Sequence, residues 1–329
     1  MAVVGSLVMT LADVSKTLDP NGSVARIIEI LNQQNEMLED ILWMECNGGD
    51  THTSAIRTGL PAGTWRMLYQ GVQPAKTTRA QVKDTVGMLE NYSEPDKKLI
   101  DLAKDGAALR LSEARGIMEG MNQQMQQAFL YGNQNVVPQM FTGFSPRYNS
   151  LTAGTGVNII DAGGTGLDNT SIWYVVWGED TCFGLYPRGV PGGLKHRDLG
   201  EDTKTLSDGS MYQVLRDHFE WSAGMALRDW RYVVRIANID VSDLTTDVTK
   251  LKALVGLMIQ ASEVIRSSGM GRAAWYMNRN TASKLRTAIL EKVGLNLTWE
   301  TVAGKKVMLF DGVPIRRIEQ ILNTEARVV

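Results

Sequence analysis

The sequence predicts an α+β protein in which a long helix lies on a sheet of long strands. The first observation is an amphipathic helix from Asp105 to Tyr131, roughly 40 Å long at about 1.5 Å per residue. The second is the period-two alternation between Leu215 and Leu227, which is typical of a strand with one covered face. The third is the change after Asp243 to alternating helices and strands, which indicates a compact α/β unit.

Length and composition exclude several classes of protein. With 329 residues, 43% of them hydrophobic, the chain can form two packed domains. A formal net charge of -2 implies neither tight binding to duplex nucleic acid nor attachment to an anionic membrane. No apolar run is long enough for a membrane span, and Asp13 interrupts the apolar start, which lacks the basic region of a secretory signal. We expect a soluble protein made in the cytoplasm.

The two cysteines, Cys46 and Cys182, are far apart in the sequence and have no CxxC spacing. Histidines do not cluster near either of them. We predict buried free thiols in a reducing compartment rather than a disulfide or a metal site.

The N-terminal region contains a turn at Asp19-Pro20-Asn21-Gly22, after which Ser23 can cap a helix. Apolar residues recur between 24 and 42, but a polar segment at 32–36 interrupts them. A helix with such an imperfect stripe packs on its own domain or lies across a neighbouring subunit. The sequence leaves both arrangements open.

A long two-stranded arm is predicted next. Residues 47–63 are rich in Gly, Thr and Ser and are interpreted as a linker. From 64 to 94 the pattern alternates weakly, with Trp65, Met67 and Tyr69 ahead of a polar PAKTTRAQ tip. The arm has too few apolar residues to form a core, so it has to lie on something else.

The long helix carries its apolar residues at alternating steps of three and four, which places them on one stripe. Gly132 is predicted to end this helix in the left-handed conformation. The apolar stripe consists of Leu111, Ala114, Met118, Met121, Met125 and Ala128, and the polar side of Arg110, Glu113, Glu119, Asn122, Gln123, Gln126 and Gln127.

Two short strands are predicted after a loop at 149–169 that is rich in Gly, Thr, Asn and Asp. The run at 172–177 is dense in apolar residues, as expected of a fully buried strand, and the run at 182–187 ends in proline. Residues 188–209 are interpreted as a second glycine-rich, charged loop.

The long strand then presents one apolar face, and Asp229 and Trp230 turn the chain back into a strand at 232–237. One face of this sheet has to be covered, and the Met-rich stripe of the long helix is its natural cover. The apolar face consists of Leu215, Phe219, Trp221, Ala223, Met225 and Leu227.

The last third of the chain is predicted to form a separate compact domain. A helix at 251–265 precedes a strand at 273–277, and Asn280 can cap a second helix at 281–291. Strands at 306–310 and 313–318 then form a hairpin around the strong turn dipeptide Asp311-Gly312.

Three segments carry a family resemblance: YGNQNVVPQMFTGF after the long helix, WYMNRNTASKL at a strand-to-helix step, and VMLFDGVPIRRI near the C terminus. Together with the arm, the long helix and the compact unit, they resemble the major capsid proteins of tailed bacteriophages with the Hong Kong 97 fold. The long strands precede the compact unit, an order that resembles a permuted variant among short-tailed phages.

The resemblance implies a division of the chain into four parts. An N-terminal arm with a helix would occupy residues 1–55, and the extended E-loop residues 56–95. The peripheral P-domain, with a spine helix at 105–131 and the long strands, would occupy 96–245. The axial A-domain would occupy 246–329.

The function implied by the resemblance is that of a major capsid protein. It would assemble into hexamers and pentamers that form an icosahedral shell around phage double-stranded DNA. The implied partners are copies of itself, a scaffolding protein, a portal and a decoration protein, with weak and non-specific DNA contact and no membrane. The implied location is the virion capsid, after assembly in the host cytoplasm.

Two other functions are considered. An encapsulin-type compartment shell shares the fold, and a helix at 24–42 on the inner wall would suit cargo docking. A two-domain α/β enzyme would be a monomer or small oligomer with a closed pocket between its domains. We predict no enzymatic activity, catalytic residue, cofactor or metal site.

Two glycine segments, at 163–166 and 189–197, superficially resemble phosphate-binding loops. Neither has the GK[ST] ending, and neither lies cleanly between a buried strand and a helix. We expect their glycines only to supply turn geometry.

Histidine and lysine side chains also argue against catalysis. His218 is expected on the polar face of the long strand, and His52 in a flexible segment without an oxyanion loop. His196 lies in the second glycine-rich loop. Some shells of this family join a Lys to an Asn between subunits. Lys76 and Lys83 lie on the arm where such a Lys would be, but surface lysines are common on any arm, so the sequence leaves cross-linking open.

Overall fold

The computed structural model describes residues 36–59, 61–246, 248–290, 297–302 and 305–329. The helix expected at 24–42 therefore lies mostly outside the described residues. The strands of the described chain are β1 Trp43–Glu45, β2 Thr51–Gly59, β3 Thr78–Ser93, β4 Ile159–Asp161, β5 Asn169–Trp177, β6 Cys182–Tyr186, β7 Leu194–Thr205, β8 Met211–Leu227, β9 Val233–Asp240, β10 Arg272–Met277, β11 Leu297–Val302, β12 Lys305–Phe310 and β13 Val313–Arg317. The α-helices are α1 Met37–Asp40, α2 Lys97–Leu102, α3 Gly106–Tyr131, α4 Phe144–Arg147, α5 Asp243–Thr246, α6 Val248–Val264 and α7 Arg279–Leu290.

The sheet runs through both halves of the chain. Its main path has the order β11-β12-β13-β10-β5-β6-β8-β3-β2, with β1, β4, β7 and β9 paired beside it. Strand β10 pairs antiparallel with β5, with Trp275 opposite Tyr174. The C-terminal unit therefore shares a continuous sheet with the strands before it.

Strand β5 is buried along its whole length because both of its faces are covered. Trp173 and Val175 belong to a core that also contains Met125 and Phe129 of the long helix. Tyr174 lies in a second core on the opposite face, which α6 and α7 cover. Two-sided burial explains the dense apolar run in the sequence.

The long helix α3 is confirmed, and its start is set by Asp105, whose side chain accepts a hydrogen bond from the Ala108 N–H at 3.0 Å. The predicted left-handed cap at Gly132 is wrong, because its φ is -51°. A glycine is required at 132 for a different reason, because the site has no room for a side chain. A Cβ there would lie 2.5 Å from the carbonyl oxygens of Ala128 and Phe141.

The Met-rich stripe of α3 covers the long strand, as predicted: Ala114, Met121 and Phe219 share one apolar cluster. Two assignments on the helix are wrong. Leu111 is 51% exposed, and Gln126 is fully buried rather than on a polar side. The C-terminal third of α3 is enclosed on more than one side, so a single stripe does not describe it.

The two-stranded arm is real, but its first strand was predicted in the wrong place. Strand β2 lies in the expected linker and pairs with β3 from Thr51 opposite Thr85 to Gly59 opposite Thr78. The run at 64–72 forms no strand and belongs to the loop 61–77 between β2 and β3. Strand β2 has mostly small and polar residues, with Ile56 as its one large apolar side chain, so the sequence looked like a linker.

The region predicted as the second glycine-rich loop contains β7, which pairs antiparallel with β8 and is mostly polar. Strands β5, β6, β8 and β9 confirm the other strand predictions. Strand β9 pairs with β4 and β5 rather than with β8, so the turn at Asp229 does not form a hairpin.

The predicted C-terminal elements are present, but strand β11, which pairs with β12, was not predicted, and one helix cap differs. Helix α7 begins at Arg279. The Asn278 side chain accepts a hydrogen bond from the Asn280 N–H at 2.9 Å, so Asn278 and not Asn280 caps the helix. The β12–β13 hairpin turns at Asp311 and Gly312, with φ of 50° and 76°. Positive φ at both positions is the geometry that Asp-Gly favours.

Candidate assembly surface

The loop 61–77 at the end of the β2–β3 hairpin carries the largest group of exposed apolar side chains in the described chain. Trp65 is 101% exposed and Tyr69 is 103% exposed. A group of large apolar side chains left exposed in one short loop indicates an interaction surface. The other exposed apolar residues of the loop are Met67, Leu68 and Val72.

A tight turn shapes this loop. The Gln70 N–H donates to the Met67 carbonyl at 3.2 Å, and the Arg66 guanidinium donates to the Gln70 carbonyl at 3.3 Å. Tyr69 has a φ of 66°, which places it in the left-handed region. A local turn of this kind reduces the entropy that the loop loses when a partner covers it.

A second apolar surface lies where β3 meets the long helix. Met88 is 74% exposed on β3, and it borders a cleft between that strand and the helix. Met125, Ala128 and Met140 contribute apolar side chains to the same cleft.

Ion pairs hold the β7–β8 hairpin to the long helix. The buried Asp217 carboxylate accepts hydrogen bonds from Arg110 Nε at 2.7 Å and Nη2 at 2.8 Å. His196 Nε2 lies 2.8 Å from the same carboxylate. Arg110 also pairs with Asp198 at 2.6 Å, and this hydrogen bond is the main reason that the pKa of Arg110 is raised. The sequence does not reveal this cluster, since its members come from three elements.

A buried ion pair holds the C-terminal segment. Glu325 accepts from Arg235 Nη2 at 2.8 Å, and both side chains are almost fully buried. Ser171 and Tyr131 also donate to this carboxylate. Burial, and then the neighbouring Glu325 charge, raise the pKa of the Tyr131 hydroxyl, which therefore stays protonated and donates to Glu325.

A second buried carboxylate, Asp40, holds the chain ahead of β1. Arg316 binds it through two hydrogen bonds of 2.9 Å each. Tyr276 donates to Asp40 at 3.1 Å and accepts from Trp177 Nε1 at 2.7 Å.

The three histidines have packing roles in this structure. His196 stacks on Phe219 with ring centroids 4.8 Å apart. His218 stacks on Tyr92 at 4.5 Å, and its Nε2 lies 3.2 Å from Glu90. His52 is not in a flexible segment, as the sequence suggested, but is buried on β2.

The cysteines are free and buried, as predicted. Burial raises the pKa of the Cys46 thiol to about 11, and burial also raises that of Cys182.

Lys76 and Lys83 are exposed on the loop and on β3. Among the residues that the structure describes, no cluster of His, Cys, Asp and Glu could hold a metal ion, and no helix is long and apolar enough to cross a membrane.

In the two segments that superficially resemble phosphate-binding loops, two glycines adopt left-handed backbone conformations. Gly163 and Gly189 have φ of 84° and 75°. These angles are unfavourable for residues with a side chain.

Comparison with known proteins identifies the family. The model of the family described as "Major capsid protein GP7" matches residues 19–329 of the chain. The chain belongs to the GP7 major capsid protein family. This assignment confirms the prediction of a tailed-phage major capsid protein and favours it over the encapsulin-type shell and the two-domain enzyme.

Solved structures agree with the family assignment. A chain in the structure of bacteriophage Epsilon15 is 34% identical, with a TM-score of 0.78, and the match covers 100% of this chain and 99% of that chain. The capsid of bacteriophage JBD30 is 9% identical, with a TM-score of 0.51 and coverage of 95% and 99%, a likeness of fold alone. The comparison with curated proteins gives no match.

The family assignment gives the exposed surfaces a role. A capsid protein assembles with copies of itself into the shell of the virion, so its working residues are those at contacts between subunits. The predicted α+β class and Hong Kong 97-like fold are likewise confirmed.

Proposed function

We propose that this capsid protein forms hexamers and pentamers that close into an icosahedral shell around phage double-stranded DNA. In this proposal the β2–β3 hairpin reaches over an adjacent subunit and buries its loop 61–77 there. The observation that carries it is the full exposure of Trp65 and Tyr69 at the end of a hairpin without a core of its own. Burying one large apolar side chain contributes about 1.5–3 kcal/mol, and the contact repeats at every subunit.

The proposed domain organisation follows from the family resemblance. Residues 1–55 form the N-terminal arm, 56–95 the E-loop, 96–245 the P-domain and 246–329 the A-domain. Strand β2, the first strand of the E-loop hairpin, begins at Thr51, so it starts within the residues assigned to the N-terminal arm.

The proposal includes further partners and a place of assembly. A scaffolding protein, a portal and a decoration protein would bind the shell, which would assemble in the host cytoplasm. The near-neutral net charge of -2 supports weak, non-specific contact with packaged DNA. We assign the protein no catalytic role, since its histidines are engaged in packing and ion pairs.

Replacing Trp65 and Tyr69 with serine is expected to prevent shell formation while leaving the subunit folded. Both side chains are fully exposed in the single chain, so their loss removes little from subunit stability. Truncating a large aromatic at the centre of an interface typically costs about 2 kcal/mol or more. Sedimentation velocity and negative-stain imaging of the purified protein, with and without co-expressed scaffold, measure the outcome.

The matched control is Leu167→Ser, which removes an equally exposed apolar side chain outside the arm. We expect this variant to form shells. Shells formed by the double variant in normal yield would contradict the role of the loop. A wild-type protein that stays a monomer or dimer under every condition would contradict the assembly proposal itself.

A further inference from the structure

The base of the β2–β3 hairpin is the point at which strand β3 changes partner. Residues 78–85 of β3 pair with β2, and residues 86–93 pair with β8. Beyond this point, the two hairpin strands in the described chain pair with each other rather than with the main sheet. The angle of the whole arm therefore depends on the packing at its base.

His52 is buried at this base. Only 4% of the residue is exposed, and neither ring nitrogen has a hydrogen-bond partner. The ring packs edge-on against Phe183 of β6, with centroids 5.4 Å apart. Ser54, two residues along the same strand, is also buried on this face. The site is therefore suited to a neutral imidazole.

Two ion pairs lie close to His52. Asp84 lies directly across from it on β3, but this carboxylate already accepts a hydrogen bond from Arg147 of α4 at 2.8 Å. Arg228, after β8, lies over the Phe183 ring at 5.4 Å. The Arg228 guanidinium also pairs with the Asp180 carboxylate at 3.4 Å, so two carboxylates match the two guanidinium groups. The nearby Cys182 thiol adds no charge, because burial raises its pKa and keeps it neutral.

Burial lowers the pKa of His52, the Arg228 charge lowers it further, and Asp84 opposes the shift only in part. When the base opens, the ring meets water, and its pKa returns to about 6.5. The open form therefore binds a proton more readily than the closed form. As the pH falls below about 6.5, opening becomes easier by up to about tenfold per pH unit.

We propose that the base of this hairpin is an acid-sensitive hinge, in which protonation of His52 releases the arm from the body of the subunit. The imidazolium has to reach water, so β2 separates from the Phe183 face and the hairpin loses its fixed angle. The consequence that acid weakens contacts between subunits rests on the proposed function. The hinge itself is a property of one chain.

Hydrogen exchange on the full-length, unassembled protein tests the hinge. Protection factors, which correct for the intrinsic pH dependence of exchange, are compared at about pH 7.5 and about pH 5.5. We expect peptides from 51–59 and 78–86 to lose protection by a factor approaching about tenfold at the lower pH. Strand β5 should keep its protection, since its core lies elsewhere.

Two variants decide whether His52 is responsible. His52→Phe keeps an aromatic ring against Phe183 but cannot be protonated, so it should abolish the loss of protection. Arg228→Gln removes the nearby cation at a partly exposed site, so it should make the loss smaller. A pH-independent wild type would overturn the hinge. An unchanged loss in folded His52→Phe would overturn it as well, whether or not shells assemble.

Discussion

Replacing Glu325 with alanine is expected to lower the free energy of unfolding by about 3–5 kcal/mol. The substitution leaves the Arg235 guanidinium buried without its carboxylate. An uncompensated buried charge is among the most destabilising changes that one substitution makes.

The geometry around this pair explains the size of the effect. The Glu325 and Arg235 side chains are 5% and 3% exposed, so water cannot replace the lost partner. Arg235 also donates to the Tyr148 carbonyl at 2.7 Å and lies over the Trp173 ring at 5.0 Å, so it cannot easily turn toward solvent. Tyr131 at the end of the long helix would lose its acceptor as well.

Chemical denaturation measures this loss, with Glu319→Ala as the control. Glu319 pairs with Arg279 at 3.3 Å, but the arginine side chain is 72% exposed, so we expect a change below about 1 kcal/mol. The pair Arg235→Met with Glu325→Leu should be less destabilising than Glu325→Ala alone, because no charge stays buried. Equal effects of Glu325→Ala and Glu319→Ala would contradict this account.

Replacing Gly143 with alanine is expected to destabilise the protein by about 1–3 kcal/mol or more. An added Cβ would lie 2.5 Å from the carbonyl oxygens of both Ala128 and Phe129. Both oxygens belong to the last turn of the long helix, which cannot move without disturbing its buried end. The hydrogen bond from the Gly143 N–H to the Gly132 carbonyl, 2.8 Å long, would also be strained.

Gly116→Ala provides a control with the opposite sign. Gly116 lies in the middle of the same helix, and a Cβ there meets nothing within 4 Å. Alanine should therefore stabilise the protein by about 0.5–1 kcal/mol, through lower backbone entropy in the unfolded chain. Thermal and denaturant midpoints of both variants measure the effects. A loss of stability in both variants, or in neither, would contradict the packing argument.

The features that the sequence alone determined are those that depend on neighbours along the chain. The long helix shows its periodicity within a single segment. The β12–β13 turn depends on the dipeptide Asp311-Gly312. The sequence also shows large apolar residues at Trp65 and Tyr69 in a segment with too few of them to form a core. It therefore predicted an arm that lies on another surface.

The pairing of strands depended on the tertiary structure. Strands β2 and β7 have few large apolar residues, and the periodicity that marks a half-buried strand is weak in both. Each becomes a strand because a partner, β3 or β8, satisfies its backbone groups. Propensity for β structure reflects packing against neighbours more than an intrinsic preference, so the segment alone does not reveal it.

The buried charges also depended on the tertiary structure. Glu325 lies 90 residues from Arg235, and Asp217 lies 107 residues from Arg110. The sequence shows each of these residues only as an ordinary charged side chain. His52 looked like part of a flexible linker until the structure placed it on Phe183. Whether a charged side chain is buried, and which residue it pairs with, depends on the folded chain, because distant segments have to come together around it and exclude water.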